Sequence, residues 1–287
     1  MINGAVGGVS RWTRGIPRIA SGLAVEAAWI SAHLIMYPLG VLPEPAPKVR
    51  RGPPFSGLNP QQRAIVHEGV EIASTPILLV HGIGDNHSIF AVLDRALRRR
   101  GFRNLSGFDY GLLTRDVRGA AVNLGAAIDK LSADSGYERI QVIGHSLGGL
   151  IARYYVQCLG GDRRVHSLIT LATPHSGTLL ARAGQTLPLI RQLAPGSDLL
   201  NELAEPATCS TRFTAFYSDL DHVVVPSRNA RIDHPDLRAR NVAVRGVGHL
   251  SMPNNGRIAF QIASALRELR PHQGMVVGAE PRLGSTE

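Results

Sequence analysis

Residues 144–149 have the sequence Gly-His-Ser-Leu-Gly-Gly and directly follow an apolar run at 140–143. The apolar run is typical of a buried strand, and the G-x-S-x-G pattern is typical of a sharp turn from a strand into a helix. Such a turn holds its serine in strained backbone geometry, which requires that the residues two before and two after it lack side chains. Gly144 and Gly148 meet this requirement. The sequence therefore predicts a strand, a tight turn that exposes Ser146, and a helix.

Apolar runs typical of strands alternate with helical segments through the middle of the chain. Strands are predicted at 77–80, 105–108, 140–143, 165–171, 213–217 and 242–244. Helices are predicted at 89–100, 117–131, 147–158 and 258–269. This alternation predicts an α/β fold in which a mainly parallel sheet is covered by helices on both faces. The 287 residues, 44% of them hydrophobic, are enough for one large core.

Composition divides the chain into four parts. Residues 1–43 are predicted to be an apolar, amphipathic extension, and the proline-rich residues 44–74 a linker or surface strap, because proline disfavours helices and central strands. The main folded domain is predicted at 75–270, and within it the alternation of strands and helices lapses at 176–211, which indicates an insertion. The tail at 271–287 has few apolar residues and is expected to be disordered.

The N-terminal extension begins with Arg11, Arg14 and Arg18 and continues as a mostly apolar stretch at 19–42. Glu26 interrupts that stretch, which argues against both a cleavable signal peptide and a membrane-spanning helix. Two interpretations stay open: an interfacial helix with its arginines at lipid head groups, or a helix that packs on the protein itself. Peripheral membrane association or a cell-envelope location is favoured, and a cytoplasmic location is the alternative.

The net charge of +9 arises from 31 basic and 22 acidic residues, and only Lys48 and Lys130 are lysines. A nucleic-acid binder would concentrate its basic residues on one element with aromatic residues between them. The arginines are scattered instead, so no nucleic-acid partner is expected. Cys158 and Cys209 are too few for a disulfide framework and lack the spacing of metal ligands, although a single bridge between them is possible.

Ser146 needs a base that accepts its proton and an acid that orients the base. In enzymes with this turn the acid follows a late strand, and the histidine lies in a loop before the last helix. His249 lies in such a loop. Asp219 and Asp221 both follow the strand at 213–217, and Asp221 is preferred because it lies further past the strand and can reach over the sheet edge. Asp219 stays the alternative, since loop geometry decides between them.

Two backbone N–H groups are candidates to stabilise the negative charge of an acyl-transfer intermediate. One belongs to Leu147, directly after the serine, and the other to Ile83, in a glycine-rich loop at 81–85 that follows the first strand. Glycine lets the backbone approach a substrate closely. A plain strand-to-helix turn would have the same composition, but the position of the loop two elements before the serine favours the functional interpretation.

Four blocks follow one another along the chain: residues 79–82, the serine turn continued to 155, the block around Asp221, and residues 241–249. Over about residues 75–270 the chain thereby resembles an α/β-hydrolase lipase, similar to the small bacterial lipases of the Bacillus type and the class 2 lipases. The resemblance implies that 75–270 is a catalytic domain with the α/β-hydrolase fold and that 176–211 is a helical cap, lid or acyl-site insertion. It also implies nucleophile Ser146, acid Asp221, base His249 and the oxyanion donors Ile83 and Leu147.

Three further segments bear on the resemblance. Residues 171–177 are similar to a segment that these lipases share, and His175 within it is interpreted as structural, because His249 already supplies the base. The leucines of 189–200 could line an acyl channel, form a mobile lid or pack in the core. Larger lipases of the Pseudomonas type hold calcium beside the catalytic histidine with aspartates. Residues 250–255 contain no carboxylate, so neither a metal nor another cofactor is expected.

These observations predict a serine carboxylic-ester hydrolase, a lipase or esterase, that acts on apolar esters. An acyltransferase that passes the same acyl group to an alcohol is the first alternative. A non-catalytic lipid-binding scaffold is the second, because a fold does not determine a function.

Overall fold

One six-stranded sheet forms the centre of the computed structural model, which describes residues 73–111 and 114–268. In chain order its strands are β1 (Ile77–Val80), β2 (Leu105–Phe108), β3 (Ile140–His145), β4 (Val165–Leu171), β5 (Arg212–Ser218) and β6 (Arg238–Val244). The spatial order is β2-β1-β3-β4-β5-β6, and every adjacent pair is parallel. The predicted parallel α/β architecture is confirmed. The predicted extension at 1–43, most of the linker and the tail at 271–287 lie outside the described residues.

Helices cover both faces of this sheet. They are α1 (Ala91–Arg98), α2 (Val117–Ser135), α3 (Leu147–Cys158), α4 (Pro188–Gln192), α5 (Asp198–Glu202) and α6 (Gly256–Arg267). Local sequence determines where α2 begins and ends: the Asp116 side chain accepts the N–H groups of Arg118 and Gly119, and Gly136 adopts the left-handed conformation at φ 75°. None of the helices in the described part of the chain has the length and apolarity needed to cross a bilayer.

The core consists of two layers, one on each face of the sheet. In β1, Leu78 and Val80 join a cluster with the buried residues of α2 and α3, whereas Ile77 and Leu79 join a second cluster with α1 and α6. All four side chains are buried. Burial on both faces explains why this strand is a continuous apolar run without alternating polar residues.

The strand order reverses direction between β1 and β3, because the chain moves outward to β2 and then crosses back. In open parallel sheets this reversal opens a crevice at the carboxyl ends of the two strands, where ligands bind. The glycine-rich loop at 81–85 follows β1, and the predicted serine turn follows β3. The topology therefore brings these two segments together at one edge of the sheet.

Strand β6 begins earlier than the sequence indicated. The apolar residues 242–244 predict a short strand, but pairing with β5 extends from Arg238 to Val244. Its first residues include Arg238 and Arg240, and every side chain of the strand is exposed or half-buried. A strand at the sheet edge has one neighbour and a solvated face, so it forms without the apolar run that marks a central strand.

The segment between β4 and β5 contains a 3-10 turn at Leu179–Gly184 and the short helices α4 and α5. Five of its leucines are buried in the same cluster as α2 and α3, namely Leu189, Leu193, Leu199, Leu200 and Leu203. Of the alternatives for the leucines of 189–200, the structure shows core packing. The assignment of 176–211 as a lid or acyl-site insertion stays a prediction.

Candidate active site

Ser146 lies in a strained turn between β3 and α3, with φ 51° and ψ −122°. A Cβ atom added at Gly144 would lie 2.4 Å from the Cα of Gly149. One added at Gly148 would lie 2.2 Å from the carbonyl oxygen of Val80, at the end of β1. Both glycines are therefore required by close backbone contacts, and the second contact places the serine turn directly against the loop that follows β1. Backbone strain of this kind is concentrated at functional sites.

His249 and Asp221 form a buried pair beside this turn. The Nδ1 atom of His249 lies 3.0 Å and 3.1 Å from the two carboxylate oxygens of Asp221, and the two residues are only 5% and 6% exposed. One carboxylate oxygen also accepts the backbone N–H groups of Val223 and Val224, each at 2.9 Å. Burial alone would raise the pKa of Asp221, but hydrogen bonds and charge interaction with His249, together with these N–H groups, hold that pKa below its ordinary value.

The alternative acid, Asp219, points elsewhere. Its side chain is exposed and accepts the backbone N–H of Gly246 at 2.8 Å. Leu220 between the two aspartates is buried, so the chain directs Asp219 to solvent and Asp221 into the protein. Of the two candidates, the structure brings Asp221 to His249.

His145, directly before the serine, connects the histidine loop to the serine turn. Its Nε2 atom lies 3.1 Å from the carbonyl oxygen of His249, to which it donates, and the two rings are 5.0 Å apart. Burial, followed by the charge of His249, lowers the pKa of His145 to about 3. This ring therefore stays neutral near pH 7 and ties the candidate base to the strand that ends at Ser146. The sequence analysis did not identify this contact, because the two histidines are far apart in the chain.

The predicted oxyanion donors belong to the two segments that meet at this sheet edge. A Cβ atom added at Gly82 would lie 3.2 Å from the Cβ of Ser146, so the loop at 81–85 adjoins the serine. Leu147 is the first residue of α3, where an N–H has no acceptor within the helix. Among the described residues, neither this N–H nor that of Ile83 donates to another group. Both groups are therefore available to a substrate.

The family described as the alpha/beta hydrolase fold matches residues 75–189. This chain has the α/β-hydrolase fold. Triacylglycerol lipases from Pseudarthrobacter phenanthrenivorans and Burkholderia plantarii are each 32% identical to this chain over 118 residues, 37% of its length. The match covers 35% and 31% of those lipases, so the chain spans about a third of the length of the curated relatives it matches.

A solved structure, the mature form of a Bacillus licheniformis lipase, superposes on this chain with a TM-score of 0.54 and 17% identity. The superposition covers 75% of the chain and 96% of the lipase. At that identity the likeness shows the fold alone.

Exposed apolar side chains lie on three loops at the carboxyl edge of the sheet. We call them the apolar rim: Ile83, Leu179, Leu180, Leu187 and Val223, each between 42% and 60% exposed. Two loops of the rim are joined directly, because the Thr178 hydroxyl donates to the carbonyl of Val223 at 2.6 Å. Val223 in turn donates its N–H to Asp221. The rim is thus in direct contact with Asp221.

His175 contacts the scaffold, in strand β4 and helix α3. Its Nε2 atom is 2.9 Å from the hydroxyl of Thr170, and its carbonyl accepts from the buried guanidinium of Arg153 at 3.3 Å. Arg153 also donates to the carbonyl of Leu203 at 2.8 Å, which ties α3 to the segment after α5. Burial, followed by the charge of Arg153, lowers the pKa of His175 well below its ordinary value. These contacts agree with a structural interpretation of His175.

Cys158 and Cys209 are both free thiols, so the single bridge considered from the sequence is not formed. Within residues 73–111 and 114–268, no group of three or more histidine, cysteine or acidic side chains is arranged to hold a metal ion.

Proposed function

We propose that this chain is a serine carboxylic-ester hydrolase, a lipase or esterase that acts on lipid-like esters. The observation that supports this most directly is the buried pair of His249 and Asp221 beside the strained serine turn, tied to it through His145. A buried carboxylate paired with one nitrogen of an imidazole leaves the other nitrogen as a base.

In the proposed reaction Nε2 of His249 accepts the proton of the Ser146 hydroxyl, and the serine oxygen attacks the ester carbonyl carbon. Asp221 accepts the Nδ1–H of His249 and stabilises the imidazolium that forms. The N–H groups of Ile83 and Leu147 donate to the carbonyl oxygen as it becomes negative. The imidazolium protonates the departing alcohol, leaving an acyl group on the serine. Water then attacks the acyl carbon while the same histidine accepts its proton, and the imidazolium returns that proton to the serine oxygen as the acyl–serine bond breaks and the acid is released.

Two observations support a lipid-like acyl group. The partial relatives are named triacylglycerol lipases, and the apolar rim surrounds the sheet edge at which Ser146 lies. Exposed leucine and isoleucine side chains next to a catalytic crevice contact an acyl chain favourably, because each buried CH₂ group contributes about 0.8 kcal/mol. We therefore expect longer acyl chains to bind more tightly than acetate.

The test is turnover of p-nitrophenyl esters from acetate to palmitate, with Ser146→Ala and, as a matched control, Ser264→Ala at a half-buried position in α6. We expect Ser146→Ala to abolish turnover and labelling by a fluorophosphonate, and Ser264→Ala to retain both. Turnover that persists in Ser146→Ala would contradict the proposal. Product analysis with added alcohols tests the acyltransferase alternative, which predicts that transfer greatly exceeds hydrolysis.

Peripheral membrane association through residues 1–43 is a second proposal, supported by three arginines ahead of a mostly apolar stretch. Deletion of these residues is expected to weaken binding to anionic vesicles more than it reduces turnover of a soluble short-chain ester. Equal loss of both would instead indicate that the segment supports the catalytic domain.

A further inference from the structure

The carbonyl oxygen of Gly82 accepts hydrogen bonds from two side chains next to the serine turn. The hydroxyl of Tyr110 donates to it at 2.5 Å, and Nδ1 of His81 lies 2.8 Å from it. His81 is the immediate neighbour in the chain, but Tyr110 comes from the segment after β2, 28 residues away. A buried or half-buried carbonyl with two donors has a single preferred direction.

That carbonyl belongs to the same peptide unit as the N–H of Ile83. The peptide is planar and trans, so the two groups point in opposite directions, and the one cis peptide among the described residues is Val225–Pro226. Fixing the oxygen of Gly82 on one side therefore fixes the direction of the Ile83 N–H on the other. Gly82 itself lies against Ser146, so this N–H adjoins the reacting serine.

The donors are themselves held in place. The ring of Tyr110 stacks on that of His81 with centroids 4.4 Å apart and an interplanar angle of 19°. Nε2 of His81 lies 3.1 Å from one carboxylate oxygen of Asp109, whose other oxygen lies 3.1 Å from Nδ1 of His87. Burial, followed by the nearby charges of Asp85 and Asp109, raises the pKa of Tyr110 above its ordinary value. The hydroxyl is therefore protonated and able to donate near neutral pH.

We propose that Tyr110 is a positioning residue for the oxyanion hole: by holding the carbonyl of Gly82, it directs the N–H of Ile83 toward the developing oxyanion. This role rests on the proposed function, because it requires an acyl-transfer intermediate on Ser146. Glycine at 82 and 84 makes the orientation dependent on such a contact, since a glycine-rich loop has little conformational preference of its own.

The test compares Tyr110→Phe with Tyr154→Phe. The first variant keeps the ring that stacks on His81 and loses only the hydroxyl. The second loses the hydroxyl of a tyrosine in α3 that donates to Glu202 of α5 at 2.7 Å, outside the proposed machinery. For a p-nitrophenyl ester we expect Tyr110→Phe to lower kcat by about 10- to 100-fold with KM nearly unchanged, less than the full loss of one oxyanion donor. Tyr154→Phe should retain the kcat of the wild type.

A trifluoromethyl ketone supplies the second readout, because its tetrahedral adduct with Ser146 presents an oxyanion to the same donors. Its inhibition constant should rise in Tyr110→Phe by the same factor by which kcat falls. A fall in thermal stability alone, with unchanged kcat and unchanged inhibition, would overturn the positioning role. So would a rise in KM without a fall in kcat. If the wild type has no Ser146-dependent turnover, the proposed function fails as well, and the two failures are thereby distinguished.

Discussion

Replacing Asp221 by asparagine tests the centre of the proposed mechanism with little change in shape. Asparagine keeps an oxygen that can accept the N–H groups of Val223 and Val224, both of which donate to the same carboxylate oxygen at 2.9 Å. The loop around residue 221 should therefore stay folded. The change removes a negative charge and places an amide NH₂ group opposite Nδ1 of His249.

The magnitude follows from the distances. The N–O separations of 3.0 Å and 3.1 Å between His249 and Asp221 place the centres of the two charges about 4 Å apart when the imidazolium forms. At an effective dielectric constant of about 20, this pair contributes about 4 kcal/mol to the transition state, which corresponds to about a thousandfold in rate. The amide also favours the tautomer in which Nε2 is protonated and cannot accept the serine proton, so the loss should be at least this large.

The assay is kcat/KM for a short p-nitrophenyl ester, with the free energy of unfolding measured in urea for each variant. Asp219→Asn is the matched control, because Asp219 is exposed and its asparagine can still accept the N–H of Gly246. We expect it to change either quantity little, within about 0.5 kcal/mol. Retention of more than a tenth of the activity in Asp221→Asn, or a greater loss in Asp219→Asn, would refute the assignment of the acid.

Three further predictions concern packing and charge. Gly148→Ala should abolish activity and lower the free energy of unfolding by about 3 kcal/mol, because its Cβ would lie 2.2 Å from a backbone oxygen that cannot move freely. Gly256→Ala, with no atom within 4 Å of its Cβ, is the control and should be neutral or stabilising in the same urea titration. Gly119→Ala, inside α2 with its nearest contact at 3.9 Å, should raise the free energy of unfolding by up to about 1 kcal/mol without changing kcat. Burial lowers the pKa of His145 to about 3, whereas an unfolded histidine titrates near about 6.5, so the unfolded chain binds an extra proton between these values. The free energy of unfolding should therefore fall as pH decreases from about 6.5 toward 4. The urea midpoint of His145→Gln should fall less steeply with pH than that of the wild type. Equal pH dependence in the two proteins would contradict this.

Much of the fold could be predicted because the rules that determine it are local. The glycines two residues on either side of Ser146 are dictated by the turn itself, and central strands buried on both faces are apolar throughout. Strand β6 was only partly predicted because an edge strand is stabilised by pairing with its one neighbour. Its arginines at 238 and 240 give no apolar signal.

The sequence predicted which residues belong to the candidate site, but it did not predict most of the contacts that they make. Asp219 and Asp221 are two residues apart and chemically identical, so the choice between them depends on which side chain the loop turns inward. Tyr110 and His145 gave no signal, because a tyrosine after a strand and a histidine before a serine are common. Their roles depend on the carbonyl groups of Gly82 and His249, which distant parts of the chain supply.

The sequence by itself determined the serine turn, the parallel α/β architecture and the class of chemistry that a serine, an acid and a histidine in that order can perform. Each of these follows from sterics and periodicity within a few residues. Only the tertiary structure decided which aspartate meets His249, where the leucines of 189–200 pack and which side chain holds the peptide before Ile83. Those outcomes depend on the packing of loops from different strands at one sheet edge, and contacts between residues far apart in the chain leave no pattern along it.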